Sequence, residues 1–355
     1  MRVFVGMSGG VDSSVAAALL VERGYDVTGV YMKNWSQDLP GMRCPWADDL
    51  ADAKRVAVGL GIDFRVFDFE RDYRDRVVQY MIDEYRAGRT PNPDIMCNQE
   101  VKFRLFLDAA LEQGADMIAT GHYARVQTAE GDVSTMHRPA RLLRARDENK
   151  DQTYFLYRIT QRALDKTLFP LGDYSKPEVR QLASERGLWT ADKKESMGVC
   201  FIGQVGMRDF LRQYVELVPG DIIDQDSGVV VGQHDGAILY TLGQRHGLEL
   251  GGGLPYYVVG KNMAKNEVYV SRNLNNTSIW RSNVQLGDIY WIDADAPAAG
   301  RLQARMRHRG PLVDATLDGA VLRLDEAQRA ITPGQSAVFY SGEVCLGGGV
   351  VCYNT

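Results

Sequence analysis

The chain has 355 residues, 45% hydrophobic and 25% charged, with a formal net charge of −5. That length exceeds what one core usually supports, so two or three domains are expected, and no window offers the long uncharged apolar stretch of a membrane-spanning helix. The acidic balance excludes a globally basic nucleic-acid binder, so any such contact must come from local patches. The start MRVFVGMSGG passes directly into a strand pattern without the features of a signal peptide, which predicts a cytoplasmic protein. Cys44, Cys97, Cys200, Cys345 and Cys352 are scattered, odd in number and include no CxxC pair. Neither a disulfide framework, a structural zinc nor an iron–sulfur cluster is expected.

The first ~120 residues alternate strand and helix signals at the spacing of a doubly wound parallel sheet. RVFVGM reads as a buried strand and VDSSVAAALLVERG as a helix with Val11, Val15, Ala18 and Leu19 on one face. YDVTGVYM predicts a second strand, WADDLADAKRVAVGLGI a helix, DFRVFDF a strand, YRDRVVQYMIDEYRAG a helix and ADMIATG a further strand. In SKPEVRQLASERG, Ser175 and Glu178 stand at capping-box spacing, with Pro177 in the first turn and Gly187 as the stop. From about residue 219 short β segments broken by Gly, Asp and Asn take over, and the last ~75 residues suggest a small barrel or sandwich.

Between the first strand and helix lies SGGVDSS. A glycine turn at a helix N-terminus presents unpaired N–H groups and a positive dipole end, which suits a phosphate. It is neither a Walker A loop, since Val11-Asp12 stand where Lys is needed, nor a GxGxxG fingerprint. A tight connection with Ser8 or Asp12 as helix cap is an equally good reading of SGG alone. The complete string resembles the PP-loop of ATP pyrophosphatases, which cleave ATP between the α and β phosphates. That resemblance implies an ATP site along Gly6, Met7, Ser8, Gly9, Gly10, Val11, Asp12, Ser13 and Ser14. Gly9, Gly10, Ser13 and Ser14 would hold pyrophosphate, and Asp12 would help position Mg2+.

Two cysteines stand in distinctive settings. GRTPNPDIMCNQEVKF places Asp94 and Cys97 in a Pro-Asn-rich loop before a helix, where a thiol tends to ionise more readily, and KKESMGVCFIG puts Cys200 after two lysines. Cys44, Cys345 and Cys352 read as inert structural thiols. The blocks SGGVDSS, PNPDIMCN, ATGHYAR, KDQTYFLY, ESMGVCFIG and HDGAILYTLGQRHGL follow in this order over nearly the whole chain. Together they resemble the tRNA-specific 2-thiouridylases, which replace the C2 oxygen of the wobble uridine with sulfur.

The resemblance implies an α/β PP-loop catalytic domain with a doubly wound sheet (1–205), a central, largely β domain (206–275) and a C-terminal β-barrel (276–355). It implies ATP and Mg2+ as cofactors, and as partners the anticodon stem-loop of Glu, Gln and Lys tRNAs and a persulfide donor such as a cysteine desulfurase or sulfur-relay protein. Cys200 would carry the persulfide and Cys97 would be the second catalytic cysteine. Asn92, Pro93 and Asp94 would meet the target base, with Asp94 as general acid or base, while Met32 and Gly121 would line the adenosine pocket. Lys150, Asp151 and Gln152, and Arg307 with His308, match tRNA-contacting positions.

As a strand, RLQARMRHRG would put Arg305, Arg307 and Arg309 on one face, a basic ridge or else a charge-protected edge. Two segments depart from the family pattern: residues 126–140 are longer than its usual hairpin, and MGVC replaces a Thr-Gly-Ile-Cys run. Two rival readings are an adenylating ligase on the same nucleotide fold, which needs no reactive cysteine pair, and a nonenzymatic tRNA binder with a vestigial loop.

Overall fold

Val3, Phe4 and Val5 are wholly buried in β1 (Arg2–Gly6), apolar towards both faces as the centre of a parallel sheet demands. The computed structural model describes residues 1–38, 44–128, 139–194, 207–251, 254–273, 279–293 and 299–352. β1 is flanked in parallel by β2 (Asp26–Lys33), outside which lies β3 (Asp63–Asp68), and on its other side by β4 (Met117–Thr120). A hairpin of β5 (Arg125–Gln127) and β6 (Arg141–Leu143) follows, and then β7 (Thr167–Leu168), which pairs outside β4. The sheet order is therefore β3-β2-β1-β4-β7, reversing direction between β1 and β4. In open α/β sheets ligands bind in the crevice at such a switch point, beyond the carboxyl ends of the strands.

Helix α1 (Val11–Glu22) leaves the C-terminal end of β1, and its buried alanines, Ala16, Ala17 and Ala18, allow close packing around it. α2 (Trp46–Leu60) joins β2 to β3 and ends on Gly61 in the left-handed conformation. α3 spans residues 70–86 and α4 residues 93–112. Both contain π-helical stretches, Arg74–Val78 and Cys97–Leu105, a geometry frequent at functional sites. α5 (Lys176–Glu185) has the capping box of Ser175 and Glu178 that the spacing predicts.

The central unit is a four-stranded sheet of β8 (Gly220–Asp224), β9 (Val230–His234), β10 (Tyr257–Asn262) and β11 (Glu267–Ser271), ordered β10-β11-β8-β9 over Ile222, Val258, Val268 and Val270. The last unit resolves the choice between barrel and sandwich. β12 (Trp280–Trp291), β13 (Gly300–Arg305), β14 (Val313–Asp318), β15 (Val321–Arg329), β16 (Ser336–Ser341) and β17 (Val344–Val351) form a barrel closed by β12 on β17. Closure removes the open edges that a sandwich leaves. The leading end of β17 also accepts β6, with Val344 opposite Leu143, so the first unit extends the barrel's hydrogen-bonded ladder. Residues 129–138, the body of the long segment inside that hairpin, lie outside the described residues.

The basic ridge is not what the sequence pattern suggested. β13 ends at Arg305, whose side chain is buried, and Arg309 sits in a turn at φ +59°. Of these three arginines, Arg307 and Arg309 face solvent.

Candidate active site

Gly10 precedes α1 in extended backbone and has no side chain to cap it, so the first-turn N–H groups are left for a ligand. Ser13 Oγ accepts the Ser8 N–H at 3.1 Å and donates to the Gly10 carbonyl at 3.1 Å; Ser14 Oγ donates to the same carbonyl at 2.8 Å. These hydroxyls shape the loop. Gly9 lies at φ +74°, and a Cβ there would stand 2.3 Å from the Asp49 carbonyl oxygen, so α2 and the loop approach as closely as only glycine permits. Met7 and Val11 are buried, the Met7 N–H held by the Val30 carbonyl at 2.8 Å. Met32 crosses Gly6, where a Cβ would be 2.9 Å from Met32 Cε.

The segment after β4 closes over the same helix end. A Cβ on Gly121 would stand 2.7 Å from the Ser13 nitrogen, and the Tyr123 hydroxyl donates to Asp12 Oδ1 at 2.8 Å. His122 turns the other way, its Nδ1 2.7 Å from Thr120 Oγ1 and its Nε2 3.4 Å from Lys102 Nζ. An ammonium can only donate, so Nε2 accepts and Nδ1–H donates to Thr120. Burial, with Lys102 adding to it, holds the His122 imidazole well below its ordinary range and hence neutral.

Lys176 completes this cluster, its Nζ 2.7 and 2.9 Å from the two Asp12 oxygens. In the sequence Lys176 stands only at the start of a helix, yet a cation in the first turn opposes the helix dipole, and that misplaced charge is the available signal. The Gln152 side-chain carbonyl accepts the Tyr123 N–H at 2.9 Å, and the Gln152 N–H donates to the Tyr123 carbonyl at 3.0 Å. Gln152, Tyr123 and Asp12 thus form one hydrogen-bonded path from the KDQ block to the glycine turn.

Asn92, Pro93 and Asp94 form a helix start, not a free loop. Asn92 Oδ1 accepts the Asp94 N–H at 3.2 Å and Pro93 occupies the first turn. Asp94 and Cys97 therefore lie on α4 itself, three residues apart and on one face, where the pattern suggested a loop before the helix. Cys97 is fully buried at the start of the π stretch. Cys200 lies outside the described residues. Lys193, expected near it, bridges Asp49 and Asp52 of α2 at 2.8 and 2.7 Å. Gln335, from the barrel, donates to the Thr90 carbonyl at 2.8 Å and so holds the approach to Asn92; no local pattern marked that residue.

The expected tRNA-contacting residues divide by exposure. Asp151 is buried, its carboxylate on Arg305 at 2.8 Å and on the Thr153 hydroxyl at 2.9 Å. That carboxylate braces the segment from inside while Lys150 and Gln152, on either side, are half-buried. Arg307 is exposed, and His308 packs at a tilt against Phe155 with ring centroids 4.5 Å apart. Among the remaining cysteines, Cys345 is buried and its thiol pushed far up by desolvation, and burial also raises that of Cys44. Neither is a ready nucleophile.

Residues 1–204 match the family described as the tRNA methyl transferase HUP domain, 208–272 the tRNA methyl transferase PRC-barrel domain, and 281–351 the aminomethyltransferase beta-barrel domain. The tRNA-specific 2-thiouridylase MnmA of Bacillus subtilis is 48% identical over 358 residues, covering 99% of this chain and 94% of that protein. MnmA 2 of Geobacillus kaustophilus is 47% identical with the same coverage. MnmA of Alcanivorax borkumensis is 48% identical over 99% of this chain and 97% of its own length. Identity of this extent, spanning all three units, establishes that the chain belongs to the tRNA-specific 2-thiouridylase family.

Proposed function

We propose that this protein is an ATP-dependent tRNA-uridine 2-sulfurtransferase acting on the wobble uridine. The observation that carries the reading is the full-length identity of nearly half to proteins named as tRNA-specific 2-thiouridylases. ATP lies with its phosphates at the first turn of α1 and its adenosine beside Met32 and Gly121. The uridine O2 attacks the α phosphate, pyrophosphate leaves, and C2 becomes electrophilic with AMP as its leaving group. Lys176 is placed to follow the phosphates, because its ammonium already stands over the loop on Asp12.

Asp12 suits a role in holding magnesium: Mg2+ uses one or two carboxylates plus substrate phosphates, and Lys176 and Tyr123 leave part of this carboxylate's acceptor capacity open. Magnesium supplies neutralisation of the charge on the phosphates. Asp94 is the general acid or base at the base itself, beside Asn92 and Pro93.

Sulfur comes from a persulfide on Cys200, loaded by a donor protein. Its terminal sulfur attacks C2 directly, after which Cys97 attacks Cys200 Sγ and breaks the S–S bond to leave the sulfur on C2, or it reaches C2 as hydrosulfide that Cys97 has already released by attacking Cys200 Sγ. In either case AMP departs, a Cys97–Cys200 disulfide takes up the oxidation, and a thiol reductant resets the site. The reaction places the protein in the cytoplasm with its tRNA; among the described residues no helix is long and apolar enough to cross a membrane.

Nucleoside mass spectrometry on unmodified tRNA, with magnesium-ATP and a persulfide donor, tests the reading. The expected result is a sulfur-for-oxygen mass gain at the wobble uridine, abolished by Cys200→Ser with pyrophosphate release retained. Full turnover in Cys200→Ser would instead indicate an adenylating ligase, and tRNA binding without pyrophosphate release a nonenzymatic binder.

A further inference from the structure

A cleft of about 210 Å³ opens where the three units meet. Gly88 beyond α3, Lys261 of β10, and Arg281, Asn283 and Thr332 of the barrel unit line it. Lys261 is a cation, and the cleft lining holds no carboxylate. Arg281 and Asn283 are exposed at the rim. Lys261 is partly buried and donates to the Tyr240 carbonyl at 3.0 Å. Among the described residues no carboxylate comes within ion-pair distance of its ammonium, and desolvation draws the group down to about 8 with nothing opposing it. An ammonium has three donors, and taking one out of water without a counter-charge is unfavourable. An anion entering the cleft relieves that imbalance.

We propose that the cleft is a phosphate subsite in which Lys261, with Arg281 at the rim, holds a phosphodiester of the bound tRNA. The inference rests on the tRNA-modifying reading above. The cleft is smaller than the roughly 300 Å³ at which small-molecule pockets begin, but has room for a phosphate and its waters. Its position favours a phosphodiester over a free ion. Val351 and Cys352 line both this cleft and a larger cavity of about 610 Å³ that Asn92 borders, so a strand whose base reaches Asn92 has a route past Lys261. The Pro333 carbonyl in the cleft wall also accepts the Thr90 N–H at 2.9 Å, tying the cleft to the segment that leads to Asn92.

The test is the dissociation constant for unmodified tRNA across a salt series, with Lys261→Gln and Lys261→Arg beside the wild type and folding checked by thermal melting. Lys261→Gln is expected to bind several-fold more weakly and to lose about 0.9 from the magnitude of the log–log salt slope, with Lys261→Arg keeping the slope. Asn283→Asp, at the exposed rim, should weaken binding in the same direction and serves if Lys261→Gln does not fold. A wild-type slope and affinity in both Lys261→Gln and Asn283→Asp overturns the subsite. Saturable binding of inorganic phosphate lost in Lys261→Gln, with tRNA binding unchanged, assigns the cleft to a free ion and overturns the phosphodiester. A wild-type protein that binds no tRNA overturns the underlying reading as well, an outcome distinct from the other two.

Discussion

His308 and Arg307 are neighbours in sequence with different physics. Half-burial against Phe155, reinforced by the Arg309 guanidinium, pushes the His308 imidazole down to about 4, so it is neutral at pH 7. Arg307 is exposed and permanently charged. Counterion release depends on charge, while stacking and hydrogen bonding do not. Arg307→Ala is therefore expected to reduce the magnitude of the tRNA-binding salt slope by about 0.9, and His308→Ala to weaken binding with the slope unchanged. Equilibrium binding at several salt concentrations at pH 7 separates them; a lower slope in His308→Ala would show that the imidazole binds as a cation.

The strand-to-helix turn works because two other elements press on it. α2 reaches Gly9 through the Asp49 carbonyl, and the segment after β4 reaches the α1 N-terminus through Gly121. In Gly121→Ala the new methyl, 2.7 Å from the Ser13 nitrogen and 2.8 Å from the Asp12 carbonyl carbon, must displace backbone. The expected outcome is a loss of about 1–3 kcal/mol in stability, and a fall in pyrophosphate release of about tenfold or more as the N–H groups and Asp12 shift. Gly59 in α2 is the opposite case, exposed with nothing within 4 Å of an added Cβ. Gly59→Ala should stabilise by about 0.5–1 kcal/mol through helix propensity alone. Chemical denaturation beside a pyrophosphate assay distinguishes the two; equal effects would mean that close packing at Gly121 does not matter.

Across the whole molecule, the catalytic unit and the barrel are joined by hydrogen-bonded strands, β6 on β17, and by a buried ion pair, Asp151 on Arg305. Arg305 also lies over the Tyr340 ring at 5.4 Å, and Arg144 approaches Asp151 at 3.8 Å. Arg305→Met strips the closer cation from a carboxylate that has no access to water, at an expected loss of about 3 kcal/mol. Adding Asp151→Asn, which removes the stranded charge, should recover part of it. A double variant no more stable than Arg305→Met would place the loss in packing and not in the charge.

The alternation of strands and helices in the first unit, the PP-loop, the capping box of α5 and the β character after residue 219 could be read from the chain, because each is set by local periodicity or by turn and capping chemistry within a few residues. The ordered motif blocks carried the family as well. The residue pattern left barrel and sandwich open, and the barrel was legible only through the family resemblance, since closure of β12 on β17 pairs residues about sixty positions apart. The tertiary structure alone turned Arg305 and Asp151 inward, because a charge is buried at acceptable cost where an opposite charge meets it, and here the two come from different units. Lys176 shows the same limit within the site: its sequence neighbours define a helix start, while its partner Asp12 lies in the first turn of α1, 164 residues away, brought close by the winding of the sheet.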